Sequence, residues 1–330
     1  NYNMYQNIWC EKRGGNQVEV HLWDDVAGYQ NFIFKNYAYV RDGGGQYRSI
    51  YGDKLKKVTY WTEEDFKTGR VFESDIPLDT RILLDRYEDS DEPSKDHREL
   101  FFDIEVEVTD GFPEPSKANN KVTSIAMYTK HDDKYYVCVL GDRDPSLPPL
   151  TDKKGTLIKF FRNENDLLQA FLRFWIELKP TIVTGWNTNG FDIPYLYNRI
   201  SKVLGEDFAN ALSPIQIVKY NPNKKMYRIA GVSSLDYMDL YRKFTYTQQS
   251  SYRLDHIGTI EVGIGKVEYE GTLDDLYRDD IDKFIEYNLN DVEIVKALDQ
   301  KFKLLDLARA VSHLGRIPYE EVYFSSRYIE

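Results

Sequence analysis

The sequence predicts an α/β protein in which a larger domain, with a mixed sheet flanked by helices, follows a smaller, mostly β N-terminal domain. Strand-like and helix-like segments alternate after about residue 96, which is typical of an α/β (α+β) domain. Before that point the clear signals are short β-like runs. The 330 residues, 42% of them hydrophobic, are enough for two or three folding units.

A charged segment separates the two predicted domains. Residues 87–96 contain six acidic or basic residues, one proline and few apolar residues. Such a composition is typical of a surface connection. We therefore predict a boundary there, between an N-terminal domain over residues 1–95 and a second domain over residues 96–310.

In the N-terminal domain, residues 18–23 and 31–34 are rich in β-branched and aromatic side chains and predict strands. Three consecutive glycines at 43–45 follow Asp42 and predict a turn. No residue pattern in this domain indicates catalysis.

The second domain has a longer series of predicted elements. Strands are predicted at residues 100–108, 122–128, 135–140 and 181–184, and helices at residues 164–178 and 281–304. Two short strand-like runs at residues 215–218 and 226–229 flank a polar connection and predict a β-hairpin over about residues 215–229. The last helix carries its apolar residues on one stripe: Phe284, Leu289, Val292, Val295 and Leu298.

Composition limits the class of function. There is no run of about 18 apolar residues and no basic-then-apolar start, so we expect a cytoplasmic protein with no membrane partner. The formal net charge of −11 argues on average against a phosphate-containing partner. Bound divalent cations would reverse the local sign, so an acidic chain is still compatible with nucleic acid.

Two acidic residues lie within one apolar strand. Asp103 and Glu105 are two positions apart, so both side chains project from the same face. Adjacent like charges raise the pKa of one carboxyl unless a cation compensates, and for paired carboxylates that cation is usually Mg²⁺ or Mn²⁺. The alternative is a strand with a solvated acidic face.

Two further motifs place polar groups on helices. Asp192 lies where a polar, glycine-containing loop ends and a helix begins, although an acid there can simply complement the helix dipole. Tyr287 and Asp291 are four residues apart, so a phenol and a carboxylate share one helical face. The alternative for this second pair is an ordinary helix surface.

The ordered combination of these motifs resembles that of the DEDD exonucleases of the tyrosine subclass, found in the proofreading domain of family B DNA polymerases. The other subclass has a histidine where this chain has Tyr287. Further segments are similar to the family B polymerases of T-even-like bacteriophages, and they lie at residues 110–115, 185–198, 235–241 and 251–255. The resemblance extends from about residue 98 to 330 and implies a ribonuclease-H-like fold for the second domain.

The resemblance implies roles for the acidic residues. Asp103, Glu105, Asp192 and Asp291 would hold two divalent metal ions, Mg²⁺ or Mn²⁺, on the terminal phosphodiester of DNA. Tyr287 would orient the attacking water, because a phenol with a pKa of about 10 is a poor general base at neutral pH. The implied activity is 3′-5′ exonuclease proofreading of single-stranded or frayed DNA by two-metal catalysis.

The resemblance also implies contacts with the substrate. Lys266 would offset phosphate charge, Phe112 would stack on terminal bases, and Asn187 would contact the strand. The predicted hairpin matches an element that parts the primer end from the template, and Lys224 and Lys225 near its tip suit phosphate contact. Alternatively, these three lysines are simply solvated.

The rest of the chain implies a larger context. The N-terminal domain would match that of the polymerases, and residues 311–330 resemble the approach to their palm domain. Palm motifs do not follow, so we expect an exonuclease piece that does not synthesise DNA, with a polymerase domain and replication accessory proteins as possible partners. Two alternatives stay open: a nucleic-acid-binding or regulatory fragment with an idle nuclease site, and an RNA-directed exonuclease.

Overall fold

The computed structural model describes residues 3–109, 111–147 and 155–328 of the chain. Asp110, from the segment 110–115 used above, and the last two residues lie outside the described part. The chain divides into two compact units, one of residues 1–95 with 311–330 and one of residues 96–310. The terminal segment therefore groups with the first unit.

The first unit is built on two antiparallel sheets. One has the order β1-β2-β3 and the other the order β5-β6-β4-β7. The strands are β1 (Tyr5–Lys12), β2 (Gln17–Asp24), β3 (Gly28–Lys35), β4 (Ala38–Arg41), β5 (Tyr47–Arg48), β6 (Lys54–Val58) and β7 (Val71–Phe72). The helices are α1 (Glu63–Lys67) and α2 (Leu78–Tyr87).

The strands predicted at residues 18–23 and 31–34 are confirmed and are slightly longer than predicted. Strand β1 was not predicted, although Tyr5 and Ile8 are fully buried. The turn after Asp42 is also confirmed, since the Asp42 side chain accepts a hydrogen bond of 2.8 Å from the Gly44 amide.

Buried hydrogen bonds hold residues 311–330 in the first unit. The Tyr5 hydroxyl donates to the Ile317 carbonyl at 2.5 Å, and the Arg316 guanidinium donates to the Ser90 carbonyl at 2.7 Å. These groups are buried, so breaking any of them would leave a polar atom without a partner.

The second unit is built on a six-stranded mixed sheet of order β11-β10-β9-β8-β12-β15. Its strands are β8 (Glu99–Val106), β9 (Val122–Thr129), β10 (Lys134–Leu140), β11 (Leu157–Phe161), β12 (Ile182–Thr184) and β15 (Ser233–Ser234), and β13 (Val218–Asn221) and β14 (Met226–Ile229) form a separate hairpin. Strands β8, β9 and β10 are antiparallel neighbours, whereas β12 runs parallel to β8.

Helices α3 (Glu164–Leu178) and α9 (Ile281–Phe302) pack on this sheet. The other helices of this unit are α4 (Ile193–Val203), α5 (Glu206–Asn210), α6 (Tyr237–Phe244), α7 (Leu254–Val262) and α8 (Leu273–Asp279). Helix α10 (Leu304–Gly315) begins in this unit and ends in the first. The predicted mixed sheet with flanking helices is confirmed. The predicted helix at residues 281–304 ends at Phe302, because Lys303 takes a left-handed conformation with φ of 52° before α10 begins.

The hairpin differs from its prediction at one end. Its first strand begins at Val218 rather than at residue 215, because Gln216 has a φ of 58° and cannot continue a strand. The segment around Lys266, one alternative for which was a strand, has no regular secondary structure. In the described part of the chain, no helix combines the length and the apolar character needed to cross a membrane.

Candidate metal centre

Strand β8 is the central support of the acidic residues. Phe102 and Ile104 are buried in the core, so the alternate residues Asp103 and Glu105 face the opposite side of the sheet. Helix α9 packs on β8 and β9 and contributes Asp291. Carboxylate oxygens of Asp103, Glu105 and Asp291, which we call the carboxylate trio, all lie within 4.8 Å of one another.

The surroundings disfavour three negative charges in the trio. Burial, and then the charge of Asp192, raise the pKa of Asp103. Burial and the charge of Asp103 raise the pKa values of Glu105 and Asp291 well above their ordinary range. A bound cation would reverse these shifts by favouring the ionised forms.

The trio fits a hard divalent cation. Its donors are carboxylate oxygens, the ligands that Mg²⁺, Mn²⁺ and Ca²⁺ prefer. In the described part of the chain, no Lys or Arg forms an ion pair with the trio. The positive charge of Lys266 partly opposes the rise in the pKa of Asp291 without forming an ion pair with it.

Asp192 lies near the trio on another element, outside the group whose oxygens lie within 4.8 Å of one another, and its charge acts on Asp103 and Glu105. It ends a π-helical turn, Thr188–Asp192, that leads into α4, and its Oδ1 accepts a hydrogen bond of 3.0 Å from the Ile104 amide. This bond ties Asp192 to β8 between the two strand carboxylates. Burial, with the charge of Asp236 adding to it, raises the pKa of Asp192 to about 8.

A buried carboxylate holds the loop that carries Asp192. Asp236 caps α6 and accepts hydrogen bonds of 3.0 Å from the amides of both Asn187 and Asn189. Asn187 is exposed and left-handed, with a φ of 59°. Gly185 is required in this loop, since a Cβ there would lie 2.5 Å from the Phe102 carbonyl oxygen.

Tyr287 lies one helical turn before Asp291 on α9. Its ring meets that of Tyr269 edge-on, with 5.5 Å between centroids, and the Lys266 Nζ lies 5.1 Å from the Tyr269 centroid. Burial, and then the charge of Asp291, raise the pKa of Tyr287. The phenol is therefore protonated at neutral pH and can donate a hydrogen bond beside the trio.

The remaining predicted residues lie on nearby surface elements. Phe112 is 82% exposed, and its ring centroid is 5.6 Å from that of Phe191, the neighbour of Asp192. Lys224 and Lys225 are exposed at the turn of the β13–β14 hairpin. Strand β14 packs against the π-helical turn, so the hairpin adjoins the loop that carries Asp192.

Asn288 is a further residue of the site, and it was not predicted from the sequence. This residue is fully buried on α9, and its amide donates to the Asp103 Oδ2 at 2.8 Å. A signal was available, because position 288 follows Phe284 and precedes Val292 by four residues each and so belongs to the apolar stripe. A polar residue there is an exception that calls for a buried partner.

Comparison with known proteins identifies the class. Residues 71–257 match the family described as DNA polymerase family B, exonuclease domain. The match covers more than half of the chain, so the protein belongs to this family, whose domain is a 3′-5′ exonuclease. Asp103, Glu105 and Asp192 lie within the matched residues, and Tyr287 and Asp291 lie beyond them.

Individual relatives agree with this assignment. The chain is 36% identical over 251 residues to the DNA-directed DNA polymerase of Escherichia phage RB69, with 67% of this chain and 27% of the relative covered. It is 34% identical over 244 residues to that of Enterobacteria phage T4, with coverages of 66% and 27%. DNA polymerase 1 of Sulfolobus acidocaldarius is 30% identical over 236 residues, with coverages of 67% and 25%.

The predicted resemblance to phage family B polymerases is thus confirmed. The chain spans about a quarter of the length of the relatives that it matches, at 27%, 27% and 25%.

Proposed function

We propose that this chain removes nucleotides from the 3′ end of single-stranded or frayed DNA, as the proofreading part of a DNA-directed DNA polymerase. The observation that carries the proposal is the carboxylate trio, with oxygen atoms within 4.8 Å of one another, in a chain of the exonuclease family. Asp103, Glu105, Asp291 and Asp192 would hold two divalent ions, Mg²⁺ or Mn²⁺.

When bound, the ions would make a water molecule nucleophilic and stabilise charge on the leaving 3′-oxygen. The protein's own groups would place the reactants. Tyr287 keeps its proton and would hold the attacking water by a hydrogen bond rather than act as a base. The Lys266 ammonium lies over the ring of Tyr269, which contacts the ring of Tyr287. From there Lys266 would offset the charge of the scissile phosphate.

An unpaired 3′ end suits the surface beside the trio. Phe112 is exposed and its ring is tilted against that of Phe191, and exposed aromatic rings stack on bases without regard to sequence. Asn187 is exposed on the Asp192 loop, and Lys224 and Lys225 would contact phosphates from the hairpin turn. A paired terminus cannot offer its bases to Phe112, so the site would favour frayed ends.

The whole-protein context follows from the relatives, all named as DNA polymerases. We propose that the exonuclease acts with a polymerase domain and replication accessory proteins, in the cytoplasm of an infected host if the source is viral. Transfer of a mispaired primer end to the trio would then be the step that couples synthesis to hydrolysis.

Cleavage of a 3′-labelled single strand tests the proposal. With Mg²⁺ or Mn²⁺ we expect shortening by single nucleotides, and chelation by EDTA should stop it. Asp103→Asn should lower the rate on the order of 10³-fold, because several kcal/mol of transition-state stabilisation is lost. Asp207→Asn removes an exposed carboxylate of the same unit and should leave the rate unchanged.

Three results would contradict the proposal. Cleavage that persists in EDTA would exclude a metal-dependent reaction. Strand binding without shortening, across metals and pH, would favour a binding or regulatory fragment with an idle nuclease. Faster cleavage of oligo-U than of oligo-dT would favour an RNA-directed enzyme.

A further inference from the structure

We infer that Asn288 is a positioning residue, which fixes the orientation of the Asp103 carboxylate and thereby sets the affinity of the trio for a divalent cation. The inference rests on the proposed function, because it concerns the same trio. It goes further in assigning the metal affinity of the site to an uncharged side chain that touches neither substrate nor cation.

The Asn288 amide forms hydrogen bonds at both of its ends. Its Nδ2 donates to the Asp103 Oδ2 at 2.8 Å and lies 3.3 Å from the Asp103 main-chain oxygen. Its Oδ1 accepts from the hydroxyl of Ser124. Both ends of a fully buried amide are therefore used.

These hydrogen-bond partners fix the orientation of the Asn288 side-chain amide. The main-chain oxygen of Asp103 and its ionised carboxylate only accept hydrogen bonds, so the NH₂ end of Asn288 faces Asp103. The Ser124 hydroxyl, buried on β9 opposite Glu105, donates to the other end. A flipped amide would set its carbonyl oxygen against the carboxylate, which is repulsive, so the network has one favoured arrangement.

The Asn288 side chain is uncharged, and this matters beside a group that would bind a cation. An amide can orient Asp103 without neutralising it, whereas a lysine at position 288 would compete with the cation and an aspartate would add another negative charge. With Oδ2 held by Asn288, the rotation of the Asp103 carboxylate is restricted before any cation binds. Hydrogen bonds of this kind to a metal-ligating group usually contribute 10- to 100-fold in affinity.

The position itself is a further indication. Asn is a weak helix former and is seldom buried in a helix interior, yet Asn288 occupies the apolar stripe of α9 between Phe284 and Val292. An apolar residue would suit the helix better. A buried amide at this point is explained by its two partners.

Titration of the full chain with MnCl₂ by calorimetry tests the inference, together with cleavage rates and melting temperatures. Asn288→Ala should raise the Kd for Mn²⁺ by about 10-fold or more. Ser124→Ala, which removes only the hydroxyl that anchors the amide, should raise it less. In an Asp103→Asn background the further effect of Asn288→Ala should be nearly lost, because the two side chains act as one unit.

Asn210→Ala is the matched control, since its side chain bonds to Tyr197, outside the trio, and its Kd should equal that of the wild type. If Asn288→Ala folds with an unchanged Kd, or if its effect is fully additive with Asp103→Asn, the inference is wrong and the proposed function stands. Should Asn288→Ala not fold, an unchanged Kd in Ser124→Ala overturns it equally. Wild-type protein that neither binds Mn²⁺ nor cleaves DNA would overturn both.

Discussion

Among the residues that the structure describes, each of the two units contains one group of metal-ligand side chains whose donor atoms lie within 4.8 Å of one another. In the second unit it is the carboxylate trio. In the first unit it is the group of Glu11, Glu19 and His21 on strands β1 and β2, which we call the N-terminal group. Spacing alone therefore does not separate a metal centre from a surface cluster.

The charge around the two groups differs. Arg13 forms ion pairs with both Glu19 and Glu11, and Asn31 donates to Glu19 as well. The hydrogen bond from Arg13, followed by that from Asn31, lowers the pKa of Glu19. Burial and mutual repulsion instead raise the pKa values in the trio.

This difference in charge determines how favourable the binding of a divalent cation is at each group. At the N-terminal group it would have to displace Arg13, which already satisfies the carboxylates. At the trio it would relieve repulsion that no lysine or arginine of the described residues relieves by direct pairing. We therefore expect specific binding of divalent cations at the trio alone.

Thermal stability in the presence of Mn²⁺ is the strongest test of this contrast. Mn²⁺ at 100 times its Kd should stabilise the folded protein by about 2.7 kcal/mol, which corresponds to roughly 5–10 °C in the apparent Tm. Glu105→Gln should abolish the shift, whereas Glu19→Gln should keep it. Equal losses in the two variants would mean that the N-terminal group binds the ion too.

The pH dependence of stability without metal is the next test. The pKa of Asp192 is raised to about 8 in the folded protein, against about 4 when unfolded. The folded state therefore binds the proton more tightly, so this contribution is fully present below pH 4 and is lost as pH rises to about 8. The slope for one proton is at most about 1.4 kcal/mol per pH unit.

Urea unfolding in EDTA between pH 5 and pH 8 measures this slope. Asp192→Asn should lower the slope by the share of one proton, since the amide does not titrate, and the raised pKa values of the trio should leave the rest. Mn²⁺ should reverse the slope in the wild type by favouring the ionised carboxylates. The contribution of Glu19 to stability depends on pH in the opposite direction. Because the pKa of Glu19 is lowered in the folded protein, its contribution is present at neutral pH and is lost as the pH falls. A variant slope equal to that of the wild type would show that Asp192 is not the group responsible.

The sequence was enough to predict the fold class, since β8, β9 and β10 are short runs rich in apolar residues and α3 has a helical apolar pattern. The same-face acids Asp103 and Glu105 followed from strand geometry, and the association of Asp291 with them needed the family resemblance. Strand pairs such as β8 and β12 are joined across long stretches of chain. Local patterns do not specify such pairings.

Asn288 and Asp236 were missed for a related reason. Each acts through hydrogen bonds to residues far away in the chain, Asn288 to Asp103 and Asp236 to Asn187. A single sequence shows that a polar residue interrupts an apolar pattern but not which distant group it meets. The β1 strand was missed because its aromatic and polar residues do not alternate clearly.

The smallest expected effect on stability comes from replacing Arg13, the positively charged side chain that distinguishes the N-terminal group from the trio. Arg13→Gln should leave stability nearly unchanged, because exposed ion pairs contribute little. It would nevertheless leave Glu11 and Glu19 without their guanidinium partner, as in the trio. Calorimetry with MnCl₂ on a Glu105→Gln background should then detect weak binding that Arg13 prevents. If none is found, burial rather than the missing partner distinguishes the two groups.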